Sequence, residues 1–227
     1  KPIVYLTALT QADKYTLATM IDDSPITIET DGKKWSPRNY DRKDHGKVPL
    51  VVAMAKSYNQ AAARVGDQLG VDAVADVMQQ LGLQREVNRV PSLFIGATQL
   101  SPFEVTGLYQ TIAAKGYRTP LKAIRAVLDS DNLPLERFQY QLDAVHLIQR
   151  AMIQVGRDGS ARSARRKLGN DFIFAGKTGT SNSQRDSWFA GFTGDLLAVV
   201  WLGHDDDTAT QYTGASGALP IWTQLIQ

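Results

Sequence analysis

The sequence predicts an α+β protein, an antiparallel sheet packed with helices, and three observations carry that expectation. Helical apolar periodicity dominates from about Leu50 to Val155, strand-like apolar runs joined by short turns dominate after residue 170, and the chain opens on a stretch that is apolar almost all round. Helices and strands segregated along the chain give one sheet with helices against it.

Composition bounds the function. With 227 residues, 43% hydrophobic and 21% charged, the chain can bury a substantial core. A formal net charge of +2 is too small to point to nucleic acid, and no apolar stretch approaches the ~20 residues of a membrane span. The absence of Cys excludes a disulfide scaffold, thiol catalysis and Cys-based zinc sites, and it fits an oxidising compartment. Chemistry is left to hydroxyls, amines, carboxylates or His. The first residue is Lys1, not Met, so the chain is expected to come from a longer one.

The elements can be taken in order. Lys1 to Leu9 (KPIVYLTAL) has Pro2 where a first helical turn tolerates it, so a buried helix is expected, its beginning upstream of Lys1. Ile26 to Thr30 reads as a strand and Asp31-Gly32 as the tight turn of a small surface hairpin. Trp35 to Lys47 is charged and irregular, a loop in which His45 is expected to be solvated. Two helical runs, Leu50 to Lys56 and Gln60 to Leu69, are broken at Ser57-Tyr58-Asn59, where Ser and Asn compete for local backbone hydrogen bonds. Asp72 to Leu81 reads as a short amphipathic helix, and Ser101-Pro102-Phe103-Glu104 is a capping box opening a helix that ends before Gly116. Leu121 to Arg137 reads as two extended segments, and Asp143 to Val155 as an amphipathic helix with His146 on its surface. Gly156 to Lys167 gathers Arg157, Arg162, Arg165, Arg166 and Lys167 in what reads as a solvated loop. Ser187 to Phe192 and Leu196 to Leu202 read as antiparallel neighbours, and Leu219 to Ile226 as a helix returning to the sheet. His204-Asp205-Asp206-Asp207 lacks metal-ligand spacing, because consecutive side chains diverge and no second His lies at i+4, so no metal is expected.

The stretch Asp171 to Thr180 (DFIFAGKTGT) concentrates the chemistry. Phe172 to Ala175 reads as a buried strand delivering Gly176-Lys177-Thr178-Gly179-Thr180 to a cleft. Alternation places Thr178 and Thr180 on one face and Lys177 on the other, and Gly179 allows another backbone to approach closely. Two hydroxyls, an ammonium and bare backbone suit a carboxylate-bearing peptide. A Lys-Thr-Gly triplet arises by chance in roughly one chain in twenty of this length, and Ser-x-Asn in roughly half, so neither decides alone.

Together they carry a resemblance. Lys-Thr-Gly on a strand, preceded by Ser-x-Asn between helices, resembles the third and second signatures of the penicillin-binding proteins and serine β-lactamases. Lys1-Pro2 with the apolar residues after it is similar to the stretch beyond the nucleophile in class A bifunctional penicillin-binding proteins, with Lys1 as the lysine of Ser-x-x-Lys and its serine three residues upstream. The resemblance is nearest to the 1b subtype of Gram-negative bacteria. It extends through Trp35-Ser36-Pro37, Ala55 to Asn59, Gly96 to Ala113, Ala175 to Thr180, Trp188 to Gly191 and Tyr212 to Ala218. A departure is Gly159-Ser160-Ala161, where the family commonly has Gly-Thr-Gly or Gly-Thr-Ala.

The resemblance implies the serine β-lactamase and penicillin-binding-protein transpeptidase-like fold. Residues 1–227 would form an N-terminally truncated transpeptidase domain, with an all-helical lobe at about 36–165 and a sheet lobe at about 166–227 plus N-terminal elements. It implies peptidoglycan cross-linking on D-alanyl-D-alanine stem peptides of lipid II-derived strands, through a serine acyl-enzyme that β-lactam antibiotics also form. No cofactor, metal or nucleic acid is implied. The place of action would be the periplasmic side of the bacterial inner membrane, with membrane attachment only through an upstream segment.

Lys1 would be the base, its pKa lowered by burial and by a second ammonium at Lys177, with Ser57 as proton relay and Asn59 holding the substrate amide. Thr178 and Thr180 would take the carboxylate, and the Thr180 N–H one share of the oxyanion, beside Gly179. Without the serine, the chain is expected to form no penicilloyl ester. Two alternatives stand beside this reading: a serine β-lactamase, for which no clear deacylating carboxylate is found between Asn59 and Lys177, and a non-catalytic penicillin- or cell-wall-binding module.

Overall fold

The opening apolar stretch has no polar stripe because it has no solvent face. In the computed structural model, which describes residues 1–119, 121 and 138–227, it forms helix α1 (Pro2–Leu9), with all eight residues buried. After it come the short strand β1 (Met20–Asp22) and a hairpin, β2 (Ile28–Thr30) and β3 (Lys33–Trp35), paired antiparallel from Ile28 opposite Trp35. Its turn is the expected Asp31-Gly32, both at positive φ (50° and 71°), as a two-residue hairpin turn with the right twist requires. Strand β4 (Lys47–Pro49) returns to pair antiparallel with β1, a contact across a charged loop that no local pattern announces.

Helices α2 (Leu50–Lys56) and α3 (Asn59–Leu69) lie where their periodicity puts them, with α4 (Val71–Gln80) and a short 3-10 turn at Pro91–Ile95 after them. Helix α5 (Pro102–Ala113) opens on the complete capping box, Ser101 Oγ accepting from the Glu104 N–H and the Glu104 carboxylate accepting from the Ser101 N–H. Two-residue strands β5 (Tyr117–Arg118) and β6 (Phe138–Gln139) pair antiparallel. The extended segments expected over Leu121 to Arg137 lie outside the described residues, Leu121 apart.

Helix α6 (Leu142–Arg157) buries Ala144, Val145, Ile148, Ala151, Met152 and Val155 on one face and leaves His146 exposed. It packs against α1, α2 and the first strand of the sheet. The basic segment after it is not the loop expected. Arg157 closes α6, residues 162–164 form a 3-10 turn, and Arg165–Leu168 form the short helix α7, where Arg165 donates to the carbonyl oxygens of Gly156 and Asn170. Carbonyls left over at the end of a helix are natural partners for a guanidinium, which is why this basic run folds back.

The sheet is β7 (Ala175–Thr180), β8 (Ser187–Phe192) and β9 (Leu197–Leu202), antiparallel in that order, with Lys177 opposite Ala190 and Thr178 opposite Phe189. The strand expected over Phe172 to Ala175 starts later. Phe172 to Phe174 precede the ladder, with Ile173 60% exposed, and the strand is the Ala175–Thr180 stretch itself. Local apolarity marks the approach, whereas cross-strand pairing starts at Ala175 opposite Phe192. Helix α8 (Ala218–Ile226) covers β8 and β9. Its Trp222 is fully buried against Phe174 and Phe189 (ring centroids 5.2 and 5.0 Å) and donates its indole N–H to the Gly191 carbonyl. Among the described residues no helix is long and apolar enough to cross a membrane.

Candidate active site

Three elements that share α6 as neighbour bring three polar groups together. Lys1 precedes the first turn of α1, Ser57 ends α2, and Lys177 lies on β7. The Ser57 hydroxyl accepts from Lys177 Nζ at 2.7 Å and from Lys1 Nζ at 3.1 Å, contacts spanning 120 and 56 residues of chain. Lys177 is 6% exposed and donates also to its neighbour's carbonyl, Thr178 O, at 3.0 Å. Among the described residues no carboxylate pairs with either lysine. Burial lowers the Lys1 ammonium to about 8, and burial together with the Lys1 charge holds Lys177 well below the ordinary lysine range. Lys1 is therefore poised to release a proton near pH 8, and a carboxylate entering the cluster meets ammonium groups that no protein carboxylate neutralises among the described residues.

Ser57 is held in an unusual backbone state, φ 64° and ψ 36°, left-handed and disfavoured for a residue with a Cβ. This bend ends α2 and turns the hydroxyl back toward the lysines. The Ser57 and Tyr58 N–H groups close it onto Met54 O and Ala53 O.

Of the other residues expected at the site, Thr178, Gly179 and Thr180 continue β7 beyond Lys177, and Asn59 opens α3 two residues after Ser57. Thr178, half-buried, shares a hydrogen bond with Ser160 (Oγ1 to Oγ 2.5 Å). Thr180, exposed, accepts the Gly214 N–H at 2.9 Å. The backbone of Gly214 approaches that of Gly179 closely, but the glycine that permits it is Gly214, where a Cβ would lie 2.5 Å from Gly179 O; a Cβ on Gly179 itself would meet the Trp188 side chain at 3.0 Å. The Asn59 side-chain amide donates one N–H to Arg38 O at 2.6 Å, leaving its second N–H and its carbonyl oxygen as the groups that can meet a ligand amide.

Some residues at the site carry no local signal of their own. Ser160 arrives because Gly159 lets the end of α6 press onto α2. A Cβ at Gly159 would lie 2.3 Å from Ala55 O, and the Ser160 N–H donates to that same oxygen at 3.1 Å. The glycine before Ser160 is the one hint the sequence offers. His45 is not solvated: Nδ1 lies 2.8 Å from Asp23 Oδ2, Nε2 lies 3.1 Å from Asp41 Oδ2, and its ring stacks on Tyr58 with centroids 3.9 Å apart. Asp23 is 22 residues away in sequence and Tyr58 lies beyond β4 and α2, so no local periodicity announces either contact. Of the His204 to Asp207 run, Asp207 pairs with Arg185 and Asp206 accepts from Thr208.

Comparison with known proteins agrees across the whole chain. The family described as Penicillin binding protein transpeptidase domain matches residues 1–227. Penicillin-binding protein 1B of Vibrio cholerae is 41% identical over 235 residues, covering 100% of this chain and 30% of the relative. Penicillin-binding protein 1B of Escherichia coli is 38% identical over 236 residues, covering 100% of this chain and 28% of the relative. The chain thus spans less than a third of the length of these curated relatives. Among solved structures, penicillin-binding protein 1A of Haemophilus influenzae superposes with a TM-score of 0.88 at 23% identity, over 100% of this chain and 41% of that one. The imipenem acyl-enzyme complex of penicillin-binding protein A from M. tuberculosis superposes with a TM-score of 0.75 at 21% identity, over 99% of this chain and 58% of that one. At these identities the superpositions establish the fold.

Proposed function

Because this chain belongs to the penicillin-binding protein transpeptidase family, we propose that it is the peptide-cross-linking unit of a peptidoglycan synthase, acting on D-alanyl-D-alanine stem peptides at the periplasmic face of the inner membrane. The observation that carries the reading is the convergence of two lysines with lowered pKa, the half-buried Lys1 and the buried Lys177, on one serine hydroxyl, beside the edge that β7 presents among the described residues. A strand edge takes an extended peptide as an added strand, and unneutralised ammonium groups beside it take that peptide's terminal carboxylate.

The nucleophile is a serine hydroxyl from the turn preceding Lys1. Lys1, neutral, accepts its proton as the oxygen bonds to the penultimate D-alanine carbonyl carbon. The developing oxyanion is met by the Thr180 N–H and the N–H of that serine. Ser57 passes the proton from Lys1 to the amide nitrogen as its bond to carbon breaks, and D-alanine leaves with its amine complete. Lys177, Thr178 and Thr180 hold the departing residue's carboxylate, and Asn59 offers its carbonyl oxygen to a backbone N–H. The amine of a second stem peptide then takes the acyl group by the reverse route. A β-lactam undergoes the first half and stays attached.

The test is covalent labelling. A chain carrying the residues that precede Lys1, incubated with a labelled penicillin, is expected to gain one penicilloyl mass at that serine, and Ser57→Ala in the same chain to slow the gain by about a hundredfold. An adduct elsewhere, or labelling indifferent to Ser57, overturns the reading.

A further inference from the structure

Helix α3 begins immediately after Ser57-Tyr58, and it has no cap of its own. Its N-cap residue is Tyr58, whose side chain makes no bond to the first turn. The N–H groups of that turn are satisfied from elsewhere. Asn39 Oδ1 accepts from the Asn59 N–H at 2.6 Å and from the Gln60 N–H at 3.3 Å, and Asp23 Oδ1 accepts from the Ala61 N–H at 2.9 Å. Asp23 is 0% exposed, an acidic side chain buried at the positive end of an eleven-residue helix. Its other oxygen accepts from Asn39 Nδ2 at 2.6 Å and contacts His45 Nδ1 at 2.8 Å. Asn39 is fixed further by donating to Lys43 O, and His45 by Asp41 and by stacking on Tyr58. Two segments 16 residues apart are thereby joined into one clamp around the residues that come after Ser57's bend.

We propose that Asp23, Asn39 and His45 are positioning residues for the reaction: they cap α3 in trans and hold Tyr58 and Asn59, so that Ser57 stays in its left-handed conformation with its hydroxyl on both lysines. A left-handed residue with a Cβ relaxes unless its neighbours are fixed, because the conformation is disfavoured. On the α2 side the fixing is by ordinary helix-end hydrogen bonds. On the α3 side it is by Asn39, Asp23 and the His45 ring. Displacing a reacting group by about an ångström costs up to a hundredfold in rate, so this clamp acts on the chemistry through Ser57 without touching a ligand.

The inference rests on the role proposed for Ser57, and the experiment separates the two. In a chain carrying the serine signature ahead of Lys1, acylation by a labelled penicillin is measured at several concentrations, giving the first-order acylation constant and the preceding dissociation constant. The variants are Ser57→Ala, Asn39→Ala, His45→Ala, Asp23→Asn and the swap Asp23→Asn with Asn39→Asp. Asn39→Ala and Asp23→Asn are expected to lower the first-order constant about tenfold to a hundredfold, with a smaller rise in the dissociation constant because Asn39 also holds Asn59, and His45→Ala to lower the first-order constant less. The swap again places a carboxamide N–H opposite a carboxylate, with acceptors facing the α3 N–H groups, and is expected to recover part of the Asn39→Ala loss, the bond from position 39 to Lys43 O remaining unmade. Amide exchange at Asn59, Gln60 and Ala61 should speed up in Asn39→Ala before exchange in α6 does. Should Asn39→Ala fail to fold, His45→Ala, which alters the half-buried edge of the clamp, decides. A slow Ser57→Ala beside Asn39→Ala, Asp23→Asn and His45→Ala at the parent rate overturns the clamp alone, as does a loss explained wholly by unfolded protein and not restored by the swap. A Ser57→Ala chain acylating at the parent rate overturns the reading of the site and the clamp with it.

Discussion

At the scale of single residues, the lysine pair sets the pH behaviour. Lys1 is lowered from 10.5 to about 8, so its base form grows as pH rises through that value, and the acylation constant should climb with it. A profile flat from about pH 7 to 9 would remove Lys1 as the base. The same lowering bears on stability, with the sign opposite to that of a salt bridge. Between about 8 and 10.5 the unfolded chain holds more protons than the folded one, so stability rises with pH across that window, and Lys177, also held well below the ordinary lysine range by burial and the Lys1 charge, acts in the same direction. Denaturant midpoints at about pH 7.5 and 9.5 check this; a lower midpoint at the higher pH would show that the ammonium groups are not desolvated as described. Replacing Lys177 by Ala removes a charged hydrogen bond, typically about 1.5–3 kcal/mol. If that bond acts in the transition state, penicillin acylation slows by roughly tenfold to a hundredfold, while the thermal midpoint holds or rises because a buried charge is gone. Unchanged labelling would reduce Lys177 to a strand residue.

At the scale of elements, two junctions govern the site, the α2–α3 bend and the contact of α6 with α2. Ser57→Gly and Ser57→Ala both delete the hydroxyl, yet only glycine adopts φ 64° without strain, so the glycine variant should be more stable by about 1 kcal/mol. Chemical denaturation of the two side by side measures it. Gly159→Ala forces a Cβ to 2.3 Å from Ala55 O. That overlap involves backbone on both sides, so about 1–3 kcal/mol of stability should be lost, with the Ser160 to Thr178 contact disturbed. The sequence made the elements themselves legible wherever the signal is local. The capping box opened α5, Asp31-Gly32 turned the hairpin, and periodicity bounded α2, α3 and α6 closely. What it could not carry was the closing of one element on another. Asn39 reads as a loop residue and His45 as a surface histidine until folding sets them against Asn59 and Tyr58, and β1 gives no sign that it pairs with β4.

At the scale of the whole molecule, one aromatic side chain fastens the sheet to its covering helix. Trp222 is fully buried against Phe174 and Phe189 and bonded to Gly191 O. Trp222→Ala should therefore cost about 3–5 kcal/mol, visible as a large drop in thermal midpoint. Alternation sets Lys177 on one face of the sheet with Ala190, and Phe189 and Gly191, which meet Trp222, on the other. The penicillin-labelling kinetics of the folded fraction should accordingly change far less than stability does. Lys1, Ser57 and Lys177 belong to three elements with a shared neighbour in α6, which contacts α1, α2 and β7. That helix is in effect the datum from which the site is surveyed. Motion of α6 as a body carries Lys1, Ser57 and Lys177 along together and leaves their separations unchanged, whereas a small slide of any one element along α6 enters those separations in full. Outside the clamp at the start of α3, function should tolerate softness on most of the surface and very little in the buried stripe of α6 from Ala144 to Val155.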